Sequence, residues 1–400
     1  MIYYIKYIFG FLILFFYVYS VYFNFIPYGI PTRVVISIIA IYHCRSNLFK
    51  IFNPESNFIF AMFCIFVYWL LLVLGLNFGG DIYWLRVTVL WILYFLGAIL
   101  VIDALKIREF NKLLLLIICC VLINNLIAFS ALFIPILRNF LIEVQYFTRD
   151  VDTIESTFRC FGLGNIYWSG GAKSALAGIF ACYLFKIKYL KNIQFYIIYV
   201  ILLFTGILIA RTALVGLLGL IFLIFPLKQN LDKIIPLVCI LPFFLLAYYL
   251  LKQTLMIINP QLADWAFELF DNISESGTIQ TSSTNHLFEM WNVTVNSFKT
   301  LLIGDNLMND SSGGYYMHTD VGYLRIIFSM GIIGLCLFIS MHIKIIQRIV
   351  RLANIKFIFG VVLFLYILLL LVKGVCDVMN ILFLLYVYCN KSYSKCITIN

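Results

Sequence analysis

Charge is scarce in this chain. Asp, Glu, Lys and Arg make up 12% of its 400 residues, against about 25% in an ordinary soluble protein. There are 8 prolines and 4 histidines. No Cys-x-x-Cys pair and no Cys/His cluster at ligand spacing occurs, so the sequence gives no reason to expect zinc or an iron–sulfur cluster. Most cysteines, such as Cys64, Cys119, Cys120, Cys182, Cys239 and Cys336, sit in apolar runs, where Cys is a small hydrophobe. These shortages exclude a soluble enzyme, a disordered chain and a secreted disulfide scaffold.

What fills the chain is hydrocarbon. Hydrophobic residues are 64% of it, and mean hydropathy is +1.03. A membrane-spanning helix takes roughly 20 apolar residues. Apolar runs fall near 2–22, 31–43, 57–76, 84–105, 113–134, 172–186, 193–209, 211–227, 234–251, 320–343, 357–372 and 374–389. The expected fold is therefore an all-α polytopic membrane protein of about 12 transmembrane helices. The stretch from Phe195 to Leu227 holds one charge, Arg211. As one helix it would measure about 50 Å, too long for a hydrocarbon core of about 30 Å. It is read as two spans meeting near Arg211.

The net charge of +10 does not point to nucleic acid. Lys and Arg mark cytoplasmic connections in membrane proteins, and here they cluster after alternate spans: Arg45 and Lys50, Lys106 to Lys112, Lys186 to Lys191, Lys228 and Lys233, Lys344 to Lys356, then Lys391 and Lys395. The alternation puts both termini in the cytoplasm. Lys6 before a long apolar run, without a small-residue cleavage signature, reads as an uncleaved first span.

The chain then divides as follows: helices one to five in 1–134, an outer loop at 135–171, helices six to nine in 172–251, a large outer loop at 252–319, and helices ten to twelve with a cytoplasmic tail in 320–400. The large loop sets Lys252 and Lys299 against Asp264, Glu268, Asp271, Glu275, Glu289, Asp305 and Asp310. It holds two amphipathic pieces, near 261–271 and 286–298, with Trp265 and Trp291 expected as interfacial anchors. Loops of this length in a compact architecture are usually functional.

Of the cations on the side that positive-inside sorting disfavours, Arg159, Lys173, Arg211, Arg325 and Lys373 map near the outer ends of spans. Intramembrane ionisable groups tend to face a cavity or a partner. One reading is an anion site at the outer surface, since the arginine fork suits phosphate. The other is separate pairing with carboxylates or headgroups. Arg211 has only small or apolar neighbours in its own segment, so its partner must come from elsewhere. In His318-Thr319-Asp320-Val321-Gly322-Tyr323-Leu324-Arg325, Thr319 or Asp320 can cap a helix, and Gly322 lies on the helical face of Arg325, leaving room for a ligand. His318 is a candidate for accepting a proton from a sugar hydroxyl. Alternatively, Asp320 is a cap paired with Arg325 and His318 a solvated loop residue. The glycines following Arg159, with Gly170 and Gly171, are a weak signal for a phosphate cradle. Lys373-Gly374 separates the last two spans.

With these residues in view, the whole chain resembles the O-antigen polymerases (Wzy) of Gram-negative bacteria, within the wider O-antigen polymerase/ligase superfamily. The likeness rests on the many-span layout with one large late outer loop and on short motifs. These are Arg159-Cys-Phe-Gly-Leu-Gly-Asn, Arg211 after a Thr-Gly-containing span, Met290-Trp291, Leu302-Ile-Gly-Asp305, Tyr315 to Arg325, Gly331-Ile-Ile-Gly334 and Lys373-Gly374. The resemblance implies a GT-C-type membrane glycosyltransferase of the bacterial inner membrane. Such an enzyme moves the growing polysaccharide from undecaprenyl pyrophosphate onto a new lipid-linked repeat unit at the periplasmic face, without metal or other cofactor. Its partners are the lipid-linked donor and acceptor and membrane lipids; a chain-length regulator and a flippase are left open. On this reading Arg159, Arg211 and Arg325 hold the pyrophosphate. His318 or Asp320 acts on the acceptor hydroxyl, and Lys173, Tyr323 and Lys373 give support. The nearest competitor is an O-antigen ligase, with the same layout but lipid A core as acceptor. A lipid-linked oligosaccharide flippase or another transporter comes third; repeated halves and broken helices would mark it, and the sequence shows neither.

Overall fold

The computed structural model describes residues 2–52, 57–77, 80–146, 159–164, 168–224, 245–246, 248–295, 297–310, 313–375 and 378–390. Among them the secondary structure is helical, with no strand beyond three isolated bridges. The principal helices are α1 (Ile2–Tyr19), α2 (Thr32–Cys44), α3 (Phe58–Leu76), α4 (Tyr83–Leu105), α5 (Phe110–Phe133), α6 (Pro135–Val144), α7 (Trp168–Lys186), α8 (Asn192–Ile209), α9 (Pro260–Ser276), α10 (Ser282–Trp291), α11 (Gly322–Leu352), α12 (Phe357–Lys373) and α13 (Met379–Cys389). By length and composition 6 helical stretches among the described residues suffice to cross a membrane: Thr32–Ile51, Phe58–Leu76, Tyr83–Leu105, Phe110–Phe133, Asn192–Ile209 and Gly322–Leu352. Lys6–Tyr19, Arg211–Ile224, Phe357–Lys373 and Met379–Cys389 are shorter apolar helices. The protein is thus a helical membrane protein. The expected span at 234–251 lies mostly outside the described residues, as do Lys228, Lys233, Lys391 and Lys395.

One hydrophobic core joins the helices. α4 is packed by α1, α2, α3 and α13, while α7 is packed by α5, α8, α12 and the 211–216 segment. From Gly170 through Leu184 every residue of α7 is buried. Its glycines, alanines and Ser174 make that possible, because small side chains let backbones approach where lipid offers no hydrophobic drive. Asn125 of α5 donates to Ser174 Oγ at 2.9 Å and Thr205 Oγ1 at 3.1 Å, tying α5, α7 and α8 together. Arg33, a cation to which the sequence analysis gave no role, is buried and structural. It donates to the carbonyls of Tyr17 at 2.7 Å and Val18 at 3.0 Å, closing the end of α1.

The chain reverses where the sequence analysis divided it. α8 ends at Ile209, Ala210 is extended, and residues 211–216 form a tight 3-10 turn. Tyr199 OH then donates to Gly216 O at 3.2 Å, so the returning segment runs back along α8. Arg211 stands at the apex.

Three boundaries differ from expectation. The loop at 135–171 opens with the amphipathic helix α6, and α7 begins at Trp168. α11 runs to Leu352, so Lys344, Arg348 and Arg351 ride on a helix rather than a loop. That helix is also interrupted at Gly331 (φ 72°, ψ 177°). Asp305 N–H donates to Phe328 O at 2.6 Å and Asn306 N–H to Ser329 O at 3.0 Å across the interruption. A broken helix, which the sequence did not reveal, is therefore present, but its carbonyls are taken up by Asp305 and Asn306 of the 252–319 loop.

Candidate functional site

The 252–319 loop carries two helices with clear local causes. Asn259 accepts from Leu262 N–H at 3.0 Å and Pro260 opens the first turn of α9; Gly277, at φ 67°, ends it. Thr281 accepts from Thr284 N–H at 3.2 Å and starts α10. Leu262, Ala263, Ala266 and Phe267 are the buried face of α9. Trp265 and Glu268, three residues apart, share another face.

That face meets Arg211. The guanidinium donates through Nη1 to Glu268 Oε2 at 2.6 Å and through Nη2 to Ser283 Oγ at 2.9 Å. Glu268 also accepts from Ser282 N–H at 2.6 Å and Ser282 Oγ at 3.0 Å. Burial by itself would raise the Glu268 carboxyl; the Ser282 amide and the Arg211 guanidinium outweigh it and hold the group below its ordinary value. Arg159 and Arg211 both lie over the Trp265 ring, at 4.3 and 4.9 Å from ring centre to guanidinium carbon. Trp265 thus packs on two arginines.

A chain of contacts leads from this turn to the start of α11. Thr212 Oγ1 donates to Trp168 O at 3.0 Å. A Cβ on Gly374 would stand 3.2 Å from the Trp168 ring and 3.4 Å from Asp320 O. Lys373, beside Gly374, lies within electrostatic reach of Arg159, Arg211 and Asp320. Asp320 accepts from Arg325 Nη1 at 2.9 Å, and the Arg325 guanidinium covers the Tyr315 ring at 4.4 Å. Arg325 Nε is buried and has no hydrogen-bond partner.

Of the residues singled out from sequence, Arg159, Arg211, Lys373, Asp320 and Arg325 are brought together. Lys173 is buried, with its ammonium 4.7 Å from the Tyr19 ring centre. Tyr323 turns to α12, donating to Leu368 O at 2.7 Å. His318 is exposed, and its imidazole makes no hydrogen bond to Asp320 or Arg325. It follows Met317 in the left-handed region, at φ 53° after 56°. Neither Thr319 nor Asp320 caps α11: its N-cap is Val321, without a side-chain cap hydrogen bond, and Thr319 Oγ1 accepts from Val321 N–H at 3.3 Å.

The glycine readings are corrected. The room expected beside Gly322 is filled: a Cβ there would stand 2.7 Å from the Gly374 backbone and 2.8 Å from Leu371 O. A Cβ on Gly171 would meet Thr212 Oγ1 and Ala210 O at 2.4 and 2.6 Å. The amides of Leu163 and Gly164 donate to Asn124 Oδ1 at 2.8 Å and Gln145 Oε1 at 2.7 Å. These backbones are committed to packing, not to a phosphate cradle. Asn165 lies outside the described residues.

Sequence reasoning missed Glu268, Ser282, Ser283 and Tyr315. The available signal was a carboxylate one turn after a tryptophan on an amphipathic helix. No family model, no curated protein and no solved structure matches the chain.

Proposed function

We propose that the protein is an O-antigen polymerase of the bacterial inner membrane, a GT-C-type glycosyltransferase with twelve spans and both termini cytoplasmic. The observation that carries the reading is the convergence of Arg159, Arg211 and Lys373 with the Asp320–Arg325 pair where the outer loop meets the helices. Positive charge gathered there suits a diphosphate leaving group. In this mechanism the acceptor sugar hydroxyl attacks the anomeric carbon of the donor chain. The carbon–oxygen bond to the diphosphate breaks, and its electron pair leaves with undecaprenyl diphosphate. Arg211 and Arg325, assisted by Arg159 and Lys373, stabilise the charge developing there. His318 takes the hydroxyl proton, since it is open to solvent whereas Asp320 is committed to Arg325. The α9–α10 region covers the reacting groups and limits water.

Deleting the gene and resolving the lipopolysaccharide on a gel tests the reading. A core bearing one repeat unit, with the long ladder gone, is the expected result. Bare core with polymer still attached to the carrier lipid overturns it in favour of a ligase.

A further inference from the structure

We propose that Glu268 is a resident competitor for the donor diphosphate: its carboxylate fills the anion site of Arg211 until a phosphate displaces it, and the exchange hands the start of α10 from Glu268 to the phosphate. The inference rests on the diphosphate reading above.

The donors around this carboxylate are those a phosphate oxygen would choose. They are one arm of the Arg211 fork at 2.6 Å, the Ser282 amide at 2.6 Å and the Ser282 hydroxyl at 3.0 Å. A second phosphate oxygen would find the Ser283 hydroxyl, which now accepts from Arg211 Nη2 at 2.9 Å. Glu268 takes one Nη1–H of Arg211 and both Ser282 donors, so a phosphate that binds through those donors must displace the carboxylate.

α10 is placed to respond. None of its residues is buried, so apolar packing does little to hold it. Polar contacts at its two ends do. Its start is held by Glu268 and Arg211 through Ser282 and Ser283. Its end is held by Met290, whose carbonyl accepts from Thr319 Oγ1 at 3.0 Å and whose sulfur accepts from Asp320 N–H at 3.3 Å. At about 1.5 Å per residue, α10 is a strap some 15 Å long running between the Arg211 and Asp320 ends of the cationic cluster. A phosphate that takes these donors replaces Glu268 at the start of α10 and breaks that tie between α9 and α10.

Titrating purified full-length protein in nanodiscs with inorganic pyrophosphate is the test. Glu268→Gln should bind pyrophosphate about tenfold more tightly than the wild type, the scale of one competing charge-assisted hydrogen bond. Equal or weaker binding overturns the inference, since Glu268 would then be scaffolding for Arg211. The wild type supplies a second measurement that needs no variant: pyrophosphate should speed carboxyl-directed labelling of Glu268, read by mass spectrometry, because the exchange releases that carboxylate from Arg211 and Ser282, and an unchanged rate overturns the inference. Arg211→Gln separates the two levels. If it binds pyrophosphate as well as the wild type does, the diphosphate reading itself fails, whatever Glu268 does.

Discussion

Gly304 sits in the interruption of α11 at Gly331. A Cβ on Gly304 would stand 2.5 Å from Met330 N and 2.7 Å from Gly331 N, and one on Gly331 would stand 2.0 Å from Leu302 O. Both glycines have positive φ, 87° and 72°. Asp305 and Asn306, the next residues, supply the amides that satisfy the freed carbonyls. Two sequence motifs far apart in the chain are one joint between the outer loop and a spanning helix.

Gly331→Ala is therefore expected to destabilise the protein. The left-handed backbone alone costs about 1–2 kcal/mol with a Cβ, and the collision with Leu302 adds to it. Thermal unfolding in detergent should show a lower midpoint. Gly75→Ala is the control: nothing stands within 4 Å of that Cβ, so its midpoint should hold or rise.

Arg211→Gln and Arg325→Gln are each expected to cut polymer synthesis about 100-fold or more, the scale for removing one donor to developing charge. Lysine should restore little, because it keeps the charge and loses the fork. Arg33→Gln should behave differently. Its guanidinium holds backbone carbonyls, so protein abundance should fall, and polymer only in proportion. Lipopolysaccharide ladders read beside immunoblots separate the cases.

His318→Ala should abolish polymerisation, by about 100-fold or more for a lost general base, and leave thermal stability unchanged because the side chain is exposed. Ladder intensity and unfolding midpoint measured on one preparation check both halves. Retained activity would transfer the base to Asp320.

Docking of α9 on Arg211 should depend on pH in one direction. Glu268 is held below its ordinary value against the opposing effect of burial. The stabilisation is complete above the unfolded value, about 4.3, and is lost as pH falls through the lowered folded value. Fluorescence from a variant retaining Trp265 as its sole tryptophan should stay flat from about pH 7 to 5 and change below about pH 4. Glu268→Gln should remove that transition.

Much of this was legible before folding. The long apolar runs fix helices, because unsatisfied backbone in hydrocarbon leaves the chain few other choices. The single charge at Arg211 marked a reversal, and the structure turns the chain there. Asn259-Pro260 and Gly277 bound α9 through local chemistry that needs no tertiary contact. Misplaced cations could be listed by inspection as well, since sorting depends on sequence position relative to the spans.

What each cation meets is decided only by packing. Periodicity assigns a residue to a helical face and leaves its partner unnamed. Arg33 and Arg211 both lie next to apolar spans, yet one closes α1 and the other meets Glu268. Lys173 and Lys373 differ in the same way, one against Tyr19 and the other near Arg159, Arg211 and Asp320. A glycine that cradles a ligand and one that admits a neighbouring backbone look identical in sequence; Gly171 and Gly322 prove to be the second kind. Residues separated by dozens of positions settle these matters. The sequence itself determined a helical membrane protein with a few charges among its apolar spans, and the tertiary structure decided which charges share a site, because only helix-to-helix contact sets those distances.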